Sequence, residues 1–415
     1  MSLRKVLGII AAGLLIAGSV FAQGTAPDFS RIVALGDSLT AGYYNGSLNQ
    51  YGQAVGWAAR FAQQAGHPMT LPLISYPGMP PALKLKGFDA LTGFPMVGEV
   101  STQMGTLLNP TSQPTNLAVP GQTSVDCLTK VPQIPPSSIT DIILGFPSVY
   151  LQGQTPKSQV GLAATLQPTF VLLWIGANDV LGGALTGNPN YTVPPSAFAQ
   201  VFPAIVGSMA QTGAKMLIFN IPDVTVVPAL TKGSALAAMG IPLAPLGIGP
   251  KDYVTPYSHQ HIHAILAGTA AGPLGPGEVL YASDVPKLQA IVDADNAVIA
   301  QTAAQFGFPV FDFHAFLNKA KKHGYKLPDG TKLTTAYLGG LFGLDGVHPT
   351  ATGYAILANE AIKTVNAFYH TSIKPVNLTK VNLSDSLGFP SAKPVLPLGA
   401  PTGSLAPIVD HWVKR

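Results

Sequence analysis

Short apolar segments recur along the chain, and polar or glycine-containing turns follow most of them. These candidate strands lie at residues 32–35, 116–119, 170–175, 215–219 and 309–313. Apolar positions at helical spacing predict helices over residues 53–65, 195–212, 285–306 and 350–369. Alternating strands and helices favour a parallel sheet that helices cover on both faces. In such a fold the functional site lies at the carboxyl ends of the strands.

Three long stretches interrupt this alternation. Residues 67–112 and 129–167 are rich in Pro, Gly, Ser and Thr, whereas residues 224–284 are apolar and carry few charges. Long loops in a compact domain are usually functional or disordered. The apolar stretch is therefore either a lid or binding wall over the site, or a packed surface excursion, and the sequence leaves both interpretations open.

The two ends of the chain differ from its centre. Residues 1–22 start with basic residues, continue through an apolar run and end at Ala22, which is the pattern of a secretory signal peptide. A membrane anchor is the alternative, but the apolar run is short for a span. We expect a secreted protein, periplasmic or extracellular, after cleavage near Ala22. Residues 23–370 then form the domain, and residues 371–415 a Pro-rich tail that wraps it or hangs free.

The composition excludes several classes of protein. Charged residues make up 10% of the 415 residues, where soluble domains carry roughly a quarter. The hydrophobic content of 47% argues against a disordered chain. A net charge of +4 is too weak to indicate a nucleic-acid partner. Cys127 is the only cysteine, so internal disulfide bonds do not hold the fold and this side chain is expected to be buried.

The first candidate for chemistry is Ser38, in the sequence Gly36-Asp37-Ser38-Leu39 at the end of the first apolar segment. A serine between a buried strand and a helix presents its hydroxyl and its backbone N–H above the sheet. The same residues also fit an ordinary helix cap. A nucleophilic serine needs a base, and the base needs a group that fixes its tautomer.

An Asp and a His stand three residues apart near the last predicted helix. Asp345 precedes Gly346, and His348 is followed by proline, so a tight turn can place the carboxylate near the imidazole. Two further strand ends offer donors for an oxyanion, the backbone N–H of Gly121 and the side-chain amide of Asn178. Each of these, taken alone, also fits a strand-end turn.

Taken together and in chain order, the four sequence blocks that contain Ser38, Gly121, Asn178 and His348 resemble those of the SGNH or GDSL hydrolases, a superfamily of serine esterases and lipases. The resemblance implies a flavodoxin-like three-layer α/β/α sandwich with five parallel strands in the order 2-1-3-4-5. It also implies that Ser38 is the nucleophile and that Asp345 and His348 complete the triad. Gly121 and Asn178 would form the oxyanion hole with the backbone N–H of Ser38. The machinery implied needs no metal ion or cofactor.

We expect cleavage of carboxylic esters through an acyl-enzyme, and the apolar excursions favour lipid or other apolar acyl esters. Contact with a membrane or lipid surface is compatible with this substrate class, and the oligomeric state stays open. Two alternatives remain: a carbohydrate O-deacetylase on the same scaffold, and a catalytically idle secreted module that binds an apolar ligand. A complete set of candidate residues argues against the idle module, and the low number of tryptophans argues against the deacetylase.

Other polar motifs have simpler interpretations. The run His259-Gln260-His261-Ile262-His263 could ligate zinc if it formed a strand, but no carboxylate or cysteine follows at ligand spacing, which favours a surface or pocket-rim cluster. Residues 293–296 resemble the start of a calcium loop inside a helical pattern, and we interpret them as a solvated helix face. Asp312 could cap a helix or bind near the site.

Overall fold

The computed structural model describes residues 26–387. The predicted signal peptide and the tail beyond residue 387 lie outside these residues, so export stays a prediction. In the described part the strands are β1 Ile32–Gly36, β2 Leu83–Phe88, β3 Pro95–Glu99, β4 Phe170–Trp174, β5 Lys215–Phe219, β6 Thr231–Lys232, β7 Tyr253–Val254, β8 Val279–Leu280, β9 Val310–Phe311, β10 Tyr325–Lys326 and β11 Lys332–Leu333.

A parallel sheet in the order β1-β4-β5-β9 lies at the centre of the fold. Ile32 pairs with Phe170, and Phe170 pairs with Lys215. Every residue of β1 and β4 is buried. Because successive side chains of a strand point to opposite faces, this burial means that both faces of the sheet are covered.

The helices of the described part are α1 Ser38–Ala41, α2 Gln50–Val55, α3 Trp57–Gln64, α4 Ser124–Thr129, α5 Ile139–Gly145, α6 Gln159–Thr165, α7 Ala177–Leu185, α8 Pro195–Ala210, α9 Gly233–Ala238, α10 His259–Leu266, α11 Val285–Phe306, α12 Phe313–His323, α13 Ala351–Tyr369 and α14 Leu378–Ser384. Two groups of these helices pack among themselves. One group contains α4, α6, α7, α8 and α11, and the other contains α2, α3, α13 and α14. The predicted α/β/α arrangement is confirmed.

The central sheet has four strands where five were predicted. Residues 116–119 run along the free edge of β1, where Asn116 makes an isolated parallel bridge with Ala34. Leu117 N and Val119 N donate to Ala34 O and Gly36 O, but Gly36 N donates to Gln159 Oε1 and not to Leu117 O, so the ladder is incomplete. The predicted order 2-1-3-4-5 holds in space, with its edge strand reduced to this bridge.

The predicted helices are present, and one of them is divided into two shorter helices. The pattern over residues 53–65 becomes α2 and α3, because Gly56 adopts an extended conformation with ψ of 150°. Helix α11 has the predicted bounds, and it ends at Gly307, whose φ of +70° suits glycine. Helices α8 and α13 agree with the prediction to within two residues.

The three excursions contain regular structure of their own. Strands β2 and β3 form an antiparallel hairpin in the first, and helices α5 and α6 lie in the second. The third contributes β6, β7 and β8 and builds a separate apolar core, into which Phe94 of the hairpin inserts. Most of the 224–284 excursion is therefore packed structure joined to the 67–112 excursion.

The start of the Pro-rich tail packs on the domain. Asp385 accepts hydrogen bonds from the backbone N–H and the hydroxyl of Thr352 at 2.7 and 2.8 Å, which anchors the chain after α14 to α13. Helix α14 was not predicted, because seven residues are too few to show a helical period. Across residues 26–387, none of the helices combines the length and apolarity that crossing a bilayer requires.

Candidate active site

Ser38 lies where β1 ends. At Gly36, a Cβ atom would lie 2.4 Å from the carbonyl oxygen of Trp174, so only glycine fits this position. Asp37 caps α1, since its Oδ1 accepts a hydrogen bond from Leu39 N at 2.9 Å. Ser38 is the first residue of α1 and is buried. The helix-cap interpretation is therefore right for Asp37, and it does not use the Ser38 hydroxyl.

A chain of two hydrogen bonds joins the three residues that the sequence singles out. The distance from Ser38 Oγ to His348 Nε2 is 2.8 Å, and that from His348 Nδ1 to Asp345 Oδ2 is 3.0 Å. With a proton on Nδ1, the imidazole donates to the carboxylate and accepts from the serine hydroxyl. All three side chains are buried. The geometry is that of a hydroxyl positioned beside a base of fixed tautomer.

The turn that carries Asp345 and His348 is held by its own backbone. Asp345 Oδ1 accepts hydrogen bonds from the N–H groups of Val347 and His348, both at 2.8 Å. Gly346 has φ of +68°, a conformation that favours glycine. Burial alone would raise the pKa of Asp345, but the adjacent His348 and these hydrogen bonds outweigh it and hold the pKa below its usual value. The carboxylate is therefore ionised at neutral pH.

A loop near the N-terminal end of the domain completes the environment of Asp345. Gly46 N donates to Asp345 Oδ2 at 2.6 Å, and Asn45 Oδ1 accepts from Leu344 N at 2.9 Å. The ring of Tyr43 lies against His348 with a centroid distance of 4.6 Å. We call residues 43–48 the clamp loop. Sequence reasoning missed it, and the only available signal was the Asn45-Gly46 pair, which marks a turn and not a function.

The two candidate oxyanion donors lie on adjoining loops. Gly121 has φ of +78°, and Asn178 lies in the first turn of α7. Asn178 Nδ2 donates to the carbonyl oxygen of Gln122 at 3.0 Å, which ties the two loops together. An amide has two N–H donors, so one remains for a ligand. Asn178 and Ser38 line the same pocket.

Two buried glutamines connect these loops to the serine strand. Gln159 Oε1 accepts from Gly36 N and its Nε2 donates to Gly36 O, both at 3.0 Å. The same Nε2 also donates to Gln122 Oε1. Gln159 thus holds the strand end before Ser38 and the loop beside Gly121 in one network. Sequence reasoning did not identify Gln159, because it lies in the 129–167 excursion and belongs to no recognisable motif.

Asp179 makes a second connection between the same loops. Its carboxylate accepts hydrogen bonds from the backbone N–H of Ser124 at 2.8 Å and from the Ser124 hydroxyl. Burial raises the pKa of Asp179 to about 7 in spite of these bonds. Burial likewise raises the pKa of Asp37 to about 7, and the nearby Asp179 adds to this increase. Neither carboxylate forms an ion pair in the described part of the chain.

The family model for GDSL-like lipases and acylhydrolases matches residues 32–361, a range that contains every residue of this candidate site. The chain belongs to this family. It is therefore an ester-cleaving hydrolase with an SGNH-type α/β fold. Among curated proteins, none matches the chain significantly.

Solved structures that resemble this acylhydrolase are distant in sequence. An acetyl xylan esterase from Geobacillus stearothermophilus is 13% identical with a TM-score of 0.37, and the match covers 82% of this chain and 96% of that one. TesA is 15% identical with a TM-score of 0.34, covering 81% of this chain and 98% of that one. A GDSL-like lipase from Parabacteroides merdae is 10% identical with a TM-score of 0.35, covering 82% and 98%.

An apolar pocket opens beside Ser38 in this acylhydrolase. Its volume is about 40 Å³, compared with roughly 10–15 Å³ for one water molecule. It accommodates only a few heavy atoms. Of the 224–284 excursion, Val224 and Val227 contribute to its wall. Apolar side chains make up most of the lining, namely Leu39, Leu181, Val224, Val227, Phe313, Leu317, Phe342 and Val347.

The histidine run of the acylhydrolase forms helix α10, so the strand that a zinc site would need is absent there. Its side chains go to different partners: His259 is buried against the ring of Phe94, His261 pairs with Glu278 at 2.9 Å, and His263 pairs with Asp89 at 2.8 Å. Over residues 26–387, no group of three or more His, Cys, Asp or Glu side chains is placed to hold a metal ion.

The interpretation of residues 293–296 as a solvated helix face is wrong for two of the four. Asp295 is buried, and Asn296 bonds both the N–H and the C=O of Ile221 at 2.8 and 2.9 Å. The helical period places these two side chains toward the domain and Asp293 toward solvent. Asp312 caps α12 by accepting from Ala315 N, as one of its two predicted roles.

The Cys127 side chain is buried, as predicted.

Proposed function

We propose that the chain is a serine esterase in which Ser38 is the nucleophile, His348 the general base and Asp345 the group that orients the base. The observation that carries this assignment is the continuous hydrogen-bond chain from Ser38 Oγ through His348 to Asp345, with distances of 2.8 and 3.0 Å. Its burial supports the assignment, because electrostatic interactions strengthen where water is excluded.

The geometry supports two-step acyl transfer. His348 Nε2 takes the proton of Ser38 while Oγ forms a bond to the ester carbonyl carbon, and the ionised Asp345 stabilises the imidazolium. The C–O bond to the alcohol then breaks, and His348 returns its proton to the departing oxygen. Water activated by the same nitrogen attacks the acyl-enzyme and releases the acid.

We assign the oxyanion to three donors. These are the backbone N–H groups of Ser38 and Gly121 and the second amide hydrogen of Asn178. Each donor of this kind contributes roughly 100- to 1000-fold to the rate. The Gln159 and Asp179 networks support the assignment, because they fix the loops that carry Gly121 and Asn178 relative to the end of β1.

We infer that the substrates are apolar acyl esters. The support is the pocket beside Ser38, whose lining is almost entirely aliphatic and aromatic. A site that binds a sugar presents several hydrogen-bonding side chains, because the hydroxyl groups lose water on binding. Among the side chains that line this pocket, the polar ones are Asp37, Ser38, Asn178 and His348.

The experiment is hydrolysis of p-nitrophenyl butyrate by the purified chain without added metal. Ser38→Ala is expected to lose at least 1000-fold in kcat, because the remaining oxyanion donors cannot replace the nucleophile. Ser384→Ala changes an exposed serine and serves as the control. A fluorophosphonate probe is expected to label the wild type and the control and to leave Ser38→Ala unlabelled.

Three outcomes would contradict this proposal. Near-normal activity of Ser38→Ala would remove the nucleophile assignment. No hydrolysis by the wild type would favour the idle binding module. Faster release of acetate from acetylated xylan than of butyrate from its p-nitrophenyl ester would favour a carbohydrate deacetylase.

A further inference from the structure

A second and much larger cavity lies on another side of the candidate active site. It has a volume of about 770 Å³, within the range of roughly 300–1,000 Å³ that small-molecule sites occupy. It shares no lining residue with the pocket beside Ser38. We call this cavity the proline-methionine groove. Six of its apolar side chains are Met79, Met104, Leu107, Ile139, Ile142 and Phe146.

The groove adjoins the catalytic machinery at two residues. Tyr43 lines it, and the ring of Tyr43 lies against the ring of His348. Pro120 also lines it and directly precedes Gly121. The groove therefore lies next to a residue that contacts the proposed base and next to the loop of a proposed oxyanion donor.

The walls of the groove are preformed. Met79 exchanges backbone hydrogen bonds with Leu48 of the clamp loop, at 2.9 and 3.2 Å, so the first wall is fixed to the loop that holds Asp345. The second wall is the start of α5, where Asp141 accepts hydrogen bonds from the backbone N–H groups of Gln133, Ser137 and Ser138. A rigid apolar groove avoids much of the entropy cost of ordering a binding site around a ligand.

The charge of the groove selects against anionic ligands. Glu99 is the single charged side chain among its lining residues, and it is exposed. A negative charge at an apolar site disfavours a carboxylate or phosphate at that point. Met104 is 66% exposed within this apolar surface, so its side chain is accessible to a ligand in the groove.

We propose that the proline-methionine groove binds the long, neutral apolar chain of the ester, while the pocket beside Ser38 takes the short part on the other side of the ester bond. This inference rests on the proposed function. Its substrate is an asymmetric ester with one part of a few heavy atoms and one extended hydrocarbon chain. The groove is built by the 67–112 and 129–167 excursions and not by the apolar 224–284 excursion.

The test compares two ester series, each below the concentration at which the esters form micelles. One series lengthens the acyl chain from methyl acetate to methyl octanoate, and the other lengthens the alcohol from methyl to octyl acetate. In one series we expect kcat/KM to rise about fourfold per added methylene, the factor that corresponds to burial of one CH₂. In the other series we expect kcat/KM to fall once the chain exceeds a few carbons. The series in which kcat/KM rises identifies whether the groove binds the acyl or the alcohol side of the ester.

Two variants tie the rise to the groove. Ile142→Trp places a larger ring in the groove and narrows it, and Met104→Glu adds a charge at an exposed position. Each is expected to lower the long-to-short ratio of kcat/KM at least tenfold in the rising series. Leu383→Glu makes a matched change at a position that is 78% exposed on α14 and lies outside the groove, and it is expected to keep the wild-type ratio.

A flat dependence on chain length in both series would overturn the groove assignment. So would a rise that both groove variants preserve, because the chain would then bind elsewhere. Either result leaves the Ser38 assignment standing as long as Ser38→Ala is inactive. Activity of Ser38→Ala would instead overturn the proposed function itself, so the two failures are distinguishable.

Discussion

Asp345→Asn tests how the clamp loop and the base depend on one carboxylate. Asp345 accepts four hydrogen bonds: from the N–H groups of Val347 and His348 at Oδ1, and from Gly46 N and His348 Nδ1 at Oδ2. An asparagine oxygen can keep the first pair. Its amide nitrogen then replaces Oδ2, and it faces two groups that are themselves donors.

The substitution is expected to affect both catalysis and stability. The imidazole must carry its proton on Nε2 to accept from the new amide, so Nε2 no longer accepts the Ser38 proton. The expected loss in kcat is about 10⁴, as for the equivalent change in a serine-protease triad. The Gly46 N–H is left buried opposite another donor, which is expected to lower the free energy of unfolding by about 1–3 kcal/mol.

The assay measures kcat with p-nitrophenyl butyrate at pH 8 together with unfolding in urea. Because the folded state lowers the pKa of Asp345, the stability that its carboxylate contributes is complete above the usual pKa of 3.8 and is lost as the pH falls through the folded-state pKa. At the pH of the assay, Asp345 of the wild type is therefore ionised. Asp252→Asn is the control, because Asp252 also accepts backbone hydrogen bonds, from Gly249 N and Ala282 N, and belongs to the 224–284 excursion. It should lose stability and keep activity. A loss of kcat below tenfold in Asp345→Asn would show that another group orients the base.

Two further predictions concern buried polar groups outside the triad. Gln159→Leu should lower the free energy of unfolding by roughly 1–3 kcal/mol and reduce kcat, because the buried N–H of Gly36 loses its partner while its C=O keeps Val119 N. The exposed Gln152→Leu is the control, and an unchanged kcat would contradict the positioning role. Asp295 is buried with both oxygens unbonded within the described residues, and burial raises its pKa to about 7. The folded state therefore keeps a proton that the unfolded state releases, and this stability falls as the pH rises from about 4 to 7. Asp295→Asn should remove that fall, so that its stability relative to the wild type increases by on the order of 2–4 kcal/mol between pH 4 and pH 8. Unfolding in urea at several pH values measures this difference, and the exposed Asp293→Asn should follow the wild type. A stability difference that does not change with pH would contradict the titration of Asp295.

The sequence predicts the residues of the candidate site because parallel topology does most of the placement. Ser38 and Asn178 each follow an apolar strand, and such strand ends meet at one edge of the sheet wherever the strands are parallel. No strand leads directly into His348, and its place after the last predicted strand and before the last predicted helix is what indicates its position. The bounds of α11 follow from a long helical period that stops at glycine.

The contacts that hold the site residues in place could not be predicted from the sequence, for a physical reason. Gly46 acts through a backbone N–H, which every residue except proline possesses, so residue type carries no signal. Gln159 reaches Gly36 from 123 positions away, and glutamine is common on exposed surfaces. The edge strand at residues 116–119 looks apolar enough for a full ladder, but the distant Gln159 side chain takes the Gly36 N–H that would continue it.

The clamp loop has a consequence for when this hydrolase can first act. Gly46 and Asp345 are 299 positions apart in the chain, and Ser38 and His348 are 310 apart. On the proposed assignment, a nascent or truncated polypeptide that stops before Asp345 contains the nucleophile, both oxyanion loops and the walls of the groove, yet it lacks the base and the carboxylate that orients it. On that assignment, hydrolysis requires the 345–348 turn to dock onto the clamp loop, and a chain without this turn is expected to be inactive toward esters.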